Sequence, residues 1–530
     1  MNIARRTLLT ALPATLLMTR IAQGQVAHRL TILHVNDIHS RHEPVDNRAL
    51  TCKPGARPDC YGGTARLATA LFAERDAARA AGREVMLLDA GDQFQGSLYY
   101  TAWHGEVELA VMHAFGTEAM AVGNHEFDNG PEVLARFVDR ARFPVLTANV
   151  DCSAEPSLAG KLRPSILLER AGLKIGIVGL TTGQTATTSS PGPNVKFLEA
   201  QPALAREAEA LRAQGADFVI ALSHLGVAQD HAIAGQVPGV SVIIGGHSHT
   251  VLSDSEAEAQ GPAHALVRGP NGASVIVQAG CFARYLGRLD LDLDEHGQIL
   301  AVAGDTRHVG LDLAEHPGVA AIIAGYSVQL DAVRRRVVGH AETALDITTC
   351  RIAECPLGNF VADALLAAMP GADVAITNAG GLRTGLPAGD ITIGDVLSML
   401  PFGNTTATVQ VTGADLQATL ANGLSRAGVG GFPQVAGMRI SWSPLAAPME
   451  RLRQVQIRQK DGSFAPLDPQ RLYTVVTNNF MRTGGDGYTV LRDRGQNAYD
   501  TGPGVDEVVE AAITKASPLA PALEGRIAPE

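Results

Sequence analysis

Five times before residue 250 an apolar, β-prone run passes straight into a polar turn carrying Asp, Asn or His. His28–Val35 ends in Asn36-Asp37-Ile38-His39. Val85–Leu88 ends in Asp89-Ala90-Gly91-Asp92, with Gly96 four residues on. Ala121 and Val122 lead into Gly123-Asn124-His125-Glu126-Phe127-Asp128. Phe218–Leu222 ends in Ser223-His224, and Val242–Ile244 in Gly245-Gly246-His247-Ser248-His249. Helical patterns at 63–80, near 105–115 and from Pro131 separate the runs, and strands alternating with helices indicate an α/β fold. Further β runs are read at 143–149 and 173–180, and the runs 274–279 and 286–293 as antiparallel closing strands. In an open α/β sheet the ligand crevice lies beyond the carboxyl ends of the strands. That geometry gathers Asp37, His39, Asp92, Asn124, His224, His247 and His249 in one place.

The donor types suit divalent transition ions: imidazole favours zinc, iron, nickel or copper, and carboxylate and amide oxygens also accept manganese. Seven ligands are too many for one tetrahedral ion but suit a pair sharing a bridging carboxylate. His125 can hold or donate a proton, and Asp128, three residues on, can orient it. Taken singly, each residue is ordinary loop chemistry, and His39 reads as exposed; it is the five turns in register that demand a common site. Asp89 is read as bonding its own glycine turn rather than as a ligand.

Bulk properties narrow the class. A chain of 530 residues, 46% hydrophobic and 18% charged, suggests two or more globular domains. A formal charge of −11 argues against a nucleic-acid or anionic-membrane binder, so a phosphate site must be locally positive. Residues 1–24 read as an export signal: Arg5 and Arg6 precede a short apolar run, and Ala22-Gln23-Gly24 is a small-residue cleavage pattern. Arg5-Arg6-Thr7-Leu8-Leu9 is a partial twin-arginine pattern. The expected location is therefore periplasmic or secreted. No later run is long and apolar enough to span a bilayer, and no apolar tail follows Ala522-Leu523-Glu524 to suggest a lipid anchor. Export permits disulfides, and the close pairs Cys52/Cys60 and Cys350/Cys355 are the two expected bridges; the pairing of Cys152 and Cys281 is not readable.

The pattern changes after residue 315. Residues 316–337 read as one helix joining two regions, ending in Arg334-Arg335-Arg336, a solvated helix end. A second α/β region follows, with a helix at 357–369, a strand at 373–377, and β runs near 405–411 and 472–477. Asn378-Ala379-Gly380-Gly381-Leu382-Arg383 is a strand end, a glycine turn and an arginine, which together suit an anion. Phe402 and Phe480 stand in polar, turn-rich settings where two aromatic faces can clamp a planar base. Asp486, in Gly484-Gly485-Asp486-Gly487-Tyr488, can accept ribose hydroxyls.

The sequence resembles the calcineurin-like metallophosphoesterases, and within them the 5′-nucleotidase family. The matching residues are Asp37-x-His39, Gly91-Asp92-x-x-x-Gly96, Gly123-Asn124-His125-Glu126, His224, Gly246-His247-Ser248-His249, and the C-terminal motifs in the same order, over about 28–520. The resemblance implies that Asp37, His39, Asp92 and His249 hold one metal and that Asp92, Asn124, His224 and His247 hold the other. His125, oriented by Asp128, would stabilise the transition state. Phe402 and Phe480 would sandwich the base, Arg351, Asn378 and Arg383 would hold phosphate or ribose oxygens, and Asp486 the ribose. Leu382 stands where isoleucine is common.

The expected architecture is a four-layer α/β/β/α metallophosphoesterase sandwich over 25–315, a linker helix over 316–340, and a nucleotide-binding domain over 341–530. Family members rotate the two domains, so closure is expected to bring the halves together. The expected function is hydrolysis of nucleoside 5′-phosphates by water activated at two divalent metal ions, zinc first, with manganese or cobalt as alternatives. The rivals are a nucleotide sugar, a 2′,3′-cyclic nucleotide or a sulfur ester as substrate, and a nucleotide-binding protein without turnover. The sequence does not decide between monomer and dimer.

Overall fold

A computed structural model describes residues 25–46, Cys52 and residues 60–530. The expected export signal and most of the loop before Cys60 lie outside the described residues. In the first half, strands His28–Val35, Glu84–Asp89, Ala119–Ala121 and Val145–Leu146 pair in parallel in that order; Tyr285–Leu293 lies antiparallel on the other side of the first, and Ile299–Ala303 and Thr306–His308 pair antiparallel outside it. A second sheet runs in the order Ala265–Gly269, Gly272–Val277, Val240–Gly245, Phe218–His224, Leu173–Thr181, Ser165–Arg170.

Alternating side chains stack these sheets. Leu30, Ile32, Met86 and Leu88 meet Ile175, Ile177, Phe218, Ile220, Leu222 and Val242 in one buried core between them. Their neighbours face the other way, as a period of two requires. Leu33, Val35 and Leu87 pack with Leu67, Leu71, Val107 and Val111 of the helices Thr64–Ala80 and Glu106–Phe115. Val219 and Ala221 pack with Leu204, Ala208 and Leu211 of Ala200–Ala213. The result is the four-layer α/β/β/α sandwich, with five strand ends delivered to one rim.

Some expectations change. The run at 274–279 is not an antiparallel closing strand: Gly272–Val277 lies parallel to Val240–Gly245, and only its hairpin partner Ala265–Gly269 is antiparallel. The run at 143–149 contracts to Val145–Leu146, followed by the separate short strand Val150–Asp151. The single helix expected over 316–337 is two, Pro317–Ser327 and Leu330–Arg334. Ser327 turns its hydroxyl back onto the Ala324 carbonyl (3.0 Å), and the β-branched Val337 and Val338 enter a strand.

Beyond residue 337 a five-stranded sheet has the order Pro433–Ala436, Val374–Asn378, Leu472–Asn478, Thr406–Thr412, Gln496–Tyr499. Its core includes Leu357, Val361 and Leu365 of helix Pro356–Ala368 and Leu416, Leu420 and Leu424 of Gly413–Ser425. Among the described residues no strand of this half joins either sheet of the first. Both expected disulfides, Cys52–Cys60 and Cys350–Cys355, are present, and Cys152 and Cys281 are buried free thiols.

Candidate active site

All seven expected ligands converge at the rim. His224 Nε2 lies 3.0 Å from Asp92 Oδ2, and His249 Nε2 3.3 Å from Asp37 Oδ1. The Nε2 atoms of His39 and His249 stand 3.1 Å apart, and Asn124 Oδ1 is 2.9 Å from His247 Nδ1. Asp37, His39 and His249 form one group able to hold an ion; Asp92, His224 and His247 form another; His39, Asp92 and His125 form a third between them. His39, expected to be exposed, is 5% exposed, because its turn folds under the strand ends.

The donor set fits a metal pair on its own chemistry. Two imidazole nitrogens aimed at each other at 3.1 Å, and a buried Asp92 Oδ2 and His224 Nε2 that meet at 3.0 Å with no hydrogen-bond partner besides each other, are groups that a cation would satisfy. Burial lowers the pKa of His39 and of His247 to about 3, which keeps both imidazoles neutral and their lone pairs available. The remaining ring nitrogens are tied down: His224 Nδ1 to the Ala90 carbonyl at 2.6 Å, and His39 Nδ1 to the Phe94 carbonyl at 3.2 Å. Such outer bonds fix the tautomer and leave Nε2 facing the site.

The backbone is bent to make this cluster. Asp37, His39, Asp92, His247 and His249 all have positive φ, between 51° and 73°, a left-handed conformation unusual for non-glycine residues. What holds them there is a network of short bonds. The Glu126 carboxylate accepts from the backbone N–H of Asp92, Gln93, Phe94 and Gly123 at 2.7–3.2 Å, locking the Asp92 turn to the Asn124 turn. Asn36 donates to Asp37 Oδ2 and to the Gly280 carbonyl, both at 2.6 Å. Gly123 is required for close approach, since a Cβ there would sit 2.2 Å from Asp92 Oδ1. Asp89 accepts from Gly91 N–H at 2.9 Å and from the Gln93 amide at 2.7 Å, so it serves the turn as expected; burial raises its pKa to about 8.

His125 stands beside the ligands with its Nδ1–H donating to Asp128 Oδ2 at 2.6 Å. Burial works to lower its pKa, but the Asp128 and Asp92 carboxylates prevail and raise it to about 10. The two carboxylates thus favour the protonated ring, whose Nε2–H points away from Asp128 toward an oxygen acceptor. Glu126, Asn36 and Ser189, whose hydroxyl bonds Asp128, carry roles that a reading by ligand type passes over. Glu126 and Asn36 had a signal, their places within the Gly123–Asp128 and Asn36–His39 turns.

The second half presents a cavity of about 420 Å³ lined by Asn378, Arg383, Phe402, Asn479, Phe480 and Asp486, among others. The Arg383 guanidinium carbon lies 5.5 Å from the centre of the Phe402 ring. The Asn378 amide donates to Asp486 Oδ2 at 2.8 Å. Phe480 is 43% exposed. It rests against Gly485, where a Cβ would come within 2.5 Å of the ring. Arg351 stands apart: it is exposed and is not among the lining residues, although its carbonyl accepts from Gly428 N–H, close to the lining residue Gly430.

The two halves touch directly over the cluster. The Asn124 amide donates to the Tyr499 hydroxyl at 3.1 Å, His125 Nε2–H donates to the Thr501 carbonyl at 2.5 Å, and the Tyr499 ring stacks on His247 with centroids 6.0 Å apart. The aromatic cavity is lined by residues of the second half only. In this arrangement Thr501 holds the His125 proton that a phosphoryl oxygen would accept.

Residues 30–251 match the family described as calcineurin-like phosphoesterase, and residues 337–493 match the one described as 5′-nucleotidase, C-terminal domain. The chain is 34% identical to the 5′-nucleotidase of Homo sapiens over 548 residues, covering 97% of this chain and 94% of that protein. It is also 34% identical to the trifunctional nucleotide phosphoesterase protein of Bacillus subtilis, covering 94% of this chain but only 35% of that longer protein. Among solved structures, the NAD nucleotidase of Haemophilus influenzae superposes with a TM-score of 0.84 at 26% identity, covering 95% of this chain and 99% of that one.

Proposed function

Because the chain belongs to the 5′-nucleotidase family of metal-dependent phosphoester hydrolases, we propose that it hydrolyses nucleoside 5′-phosphates to nucleoside and phosphate, acting after export to the periplasm or medium. The observation that carries the substrate class is the cavity in which Phe402, Phe480, Asn378, Arg383 and Asp486 meet. Two aromatic faces suit a base, the carboxylate–amide pair of half-buried Asp486 and buried Asn378 suits ribose hydroxyls, and a guanidinium suits phosphate.

At the rim, Asp37, His39, Asp92 and His249 would hold one divalent ion, and Asp92, Asn124, His224 and His247 the other, with zinc first and manganese or cobalt as alternatives. When bound, the pair supplies positive charge to the phosphoryl oxygens and acidifies an attacking water. His125 places its Nε2–H where negative charge develops on the phosphoryl group, and Asp128 holds the imidazolium in that pose. For turnover the Thr501 carbonyl must leave His125, so the segments 25–315 and 341–530 must rearrange about the linker 316–340.

A second reading, hydrolysis at a pyrophosphate link as in a dinucleotide or nucleotide sugar, is favoured by the likeness to an NAD nucleotidase. The products formed from nucleoside monophosphates (nucleoside and phosphate), from nucleotide sugars and dinucleotides (two monoesters from the broken pyrophosphate link) and from 2′,3′-cyclic nucleotides (one ring-opened monoester), measured on protein reconstituted with each metal, separate these readings. Preferred release from monophosphates is expected. Binding of nucleotides without hydrolysis of any of them would replace the enzyme by a binding protein.

A further inference from the structure

We propose that Ser189 is a positioning residue for the reaction: its hydroxyl fixes the Asp128–His125 pair to the turn that carries the ligand Asn124. The inference rests on the role given to His125 above. Ser189 follows the short helix Thr185–Thr188, on the segment leaving strand Leu173–Thr181 of the second sheet. Asn124, His125 and Asp128 belong to the turn after Ala119–Ala121 of the first sheet. The serine therefore reaches across from one sheet of the sandwich to the turn of the other.

Its Oγ lies 2.7 Å from Asp128 Oδ1 and 2.7 Å from the Asn124 carbonyl oxygen. A hydroxyl has one proton, so it donates to one acceptor at a time and spaces both. Asp128 then has each oxygen engaged, Oδ1 by Ser189 and Oδ2 by His125 Nδ1–H at 2.6 Å. A carboxylate held at one oxygen only can turn about its last torsion, which is broad and two-fold. A carboxylate held at both cannot. Because the same hydroxyl meets the main chain of Asn124, the direction of the imidazolium is set relative to the metal ligands rather than to the fold at large. The sequence gives no hint of this, since Ser189 lies in a run of Thr and Ser with no spacing of its own.

The test combines kinetics with a readout that needs no turnover. In the metal-loaded enzyme, Ser189→Ala is expected to lower kcat by about 10–100-fold, the scale of losing an outer partner. The loss should be equal on p-nitrophenyl phosphate and on a nucleoside monophosphate, with KM and metal content unchanged. Ser189→Thr, which keeps the hydroxyl, should recover most of it. In an Asp128→Ala background the Ser189 change should cost nothing further, because the two act as one unit. Loss of metal from Ser189→Ala, or a cost fully additive with Asp128→Ala, would overturn the proposal. The low-field proton resonance of the His125–Asp128 bond should shift or broaden in Ser189→Ala; an unchanged resonance would also overturn it. If the wild type cleaves neither substrate, the hydrolase reading fails while this resonance still decides the role of Ser189.

Discussion

The rim of strand ends and the aromatic cavity face the same substrate with opposite construction. At the rim, five of the seven candidate ligands are held at positive φ, and the carboxylates of Asp37 and Asp92 and the imidazole of His224 are fully buried. Backbone strain of this kind costs on the order of 1–3 kcal/mol per residue and persists only where the surroundings over-determine it. Here Glu126 alone binds four backbone N–H groups. In the cavity, by contrast, Phe480 is 43% exposed, and only Asp486 has a comparable backbone, at φ 51°. The rim suits fixed ions and one geometry of charge. The cavity suits a ligand whose apolar face completes it. The difference implies that changes at the rim should act on every phosphoester, and changes in the cavity only on those with a base.

The largest effect should come from Asp92→Asn. Asp92 lies in two of the three metal-competent groups, so removing its charge should take away at least one ion and reduce turnover of all phosphoesters by at least about 10³-fold. Elemental analysis checks the first expectation; full occupancy of both sites would break the picture of a shared carboxylate. His125→Ala should fall slightly short of this, at roughly 10²–10⁴-fold, the scale of a positioned acid–base group, with the metals retained. A parallel loss of metal would make His125 a ligand instead.

Smaller and selective losses are expected in the cavity. Phe402→Ala and Phe480→Ala should each weaken nucleotide turnover by the worth of one stacked face, about 1–3 kcal/mol, while sparing p-nitrophenyl phosphate. Equal losses on both substrates would erase the contrast between the two regions and return the phenylalanines to a structural role.

This contrast also explains what the sequence disclosed. The convergence of the candidate ligands was legible because each follows an apolar strand, and parallel strands end on one rim; position in the chain alone gathers them. Asp89 was separable from Asp92 because it immediately precedes the glycine turn that it bonds. Glu126, Asn36 and Ser189 act largely through backbone N–H or carbonyl groups of other turns, and such bonds leave no periodicity to read. The exposure of His39 was misjudged for the same reason, since burial of a turn depends on what folds over it. In the second half the aromatic pair was legible as chemistry but not as a place. The cavity forms from Asn378, Phe402 and Phe480, spread over about a hundred residues of the chain, and the sheet that pairs Val374–Asn378 with Leu472–Asn478 brings its two ends together. The exclusion of Arg351 from that lining was not legible at all, because it turns on which way a disulfide-closed loop faces.

The smallest expected effect lies where the two regions meet. Asp506 and Glu507, at the start of helix Val505–Ala516, face Arg41, Gln95, Asp128 and His125 of the rim, and the Glu507 carboxyl bonds the Gln95 amide. Burial pushes both carboxyls up from the usual range. Their mutual repulsion and Asp128 add to this at Glu507, while Arg41 opposes it at Asp506. A carboxyl whose pKa is raised in one arrangement favours that arrangement when protonated. The contact should therefore be most stable below the ordinary carboxylate range and should weaken as pH rises through the raised values. A tenfold difference in either acid dissociation constant between the docked and separated forms changes their ratio by about tenfold once the group has ionised. Raising the pH should release the Thr501 carbonyl from His125 more often, seen as a growing distance between fluorophores placed on the two halves. Glu507→Gln, neutral at every pH, should flatten this dependence and keep the halves docked in mild alkali. A distance that shrinks with rising pH, or a dependence unchanged by Glu507→Gln, would show that the rim and the cavity are held apart by something other than these two carboxyls.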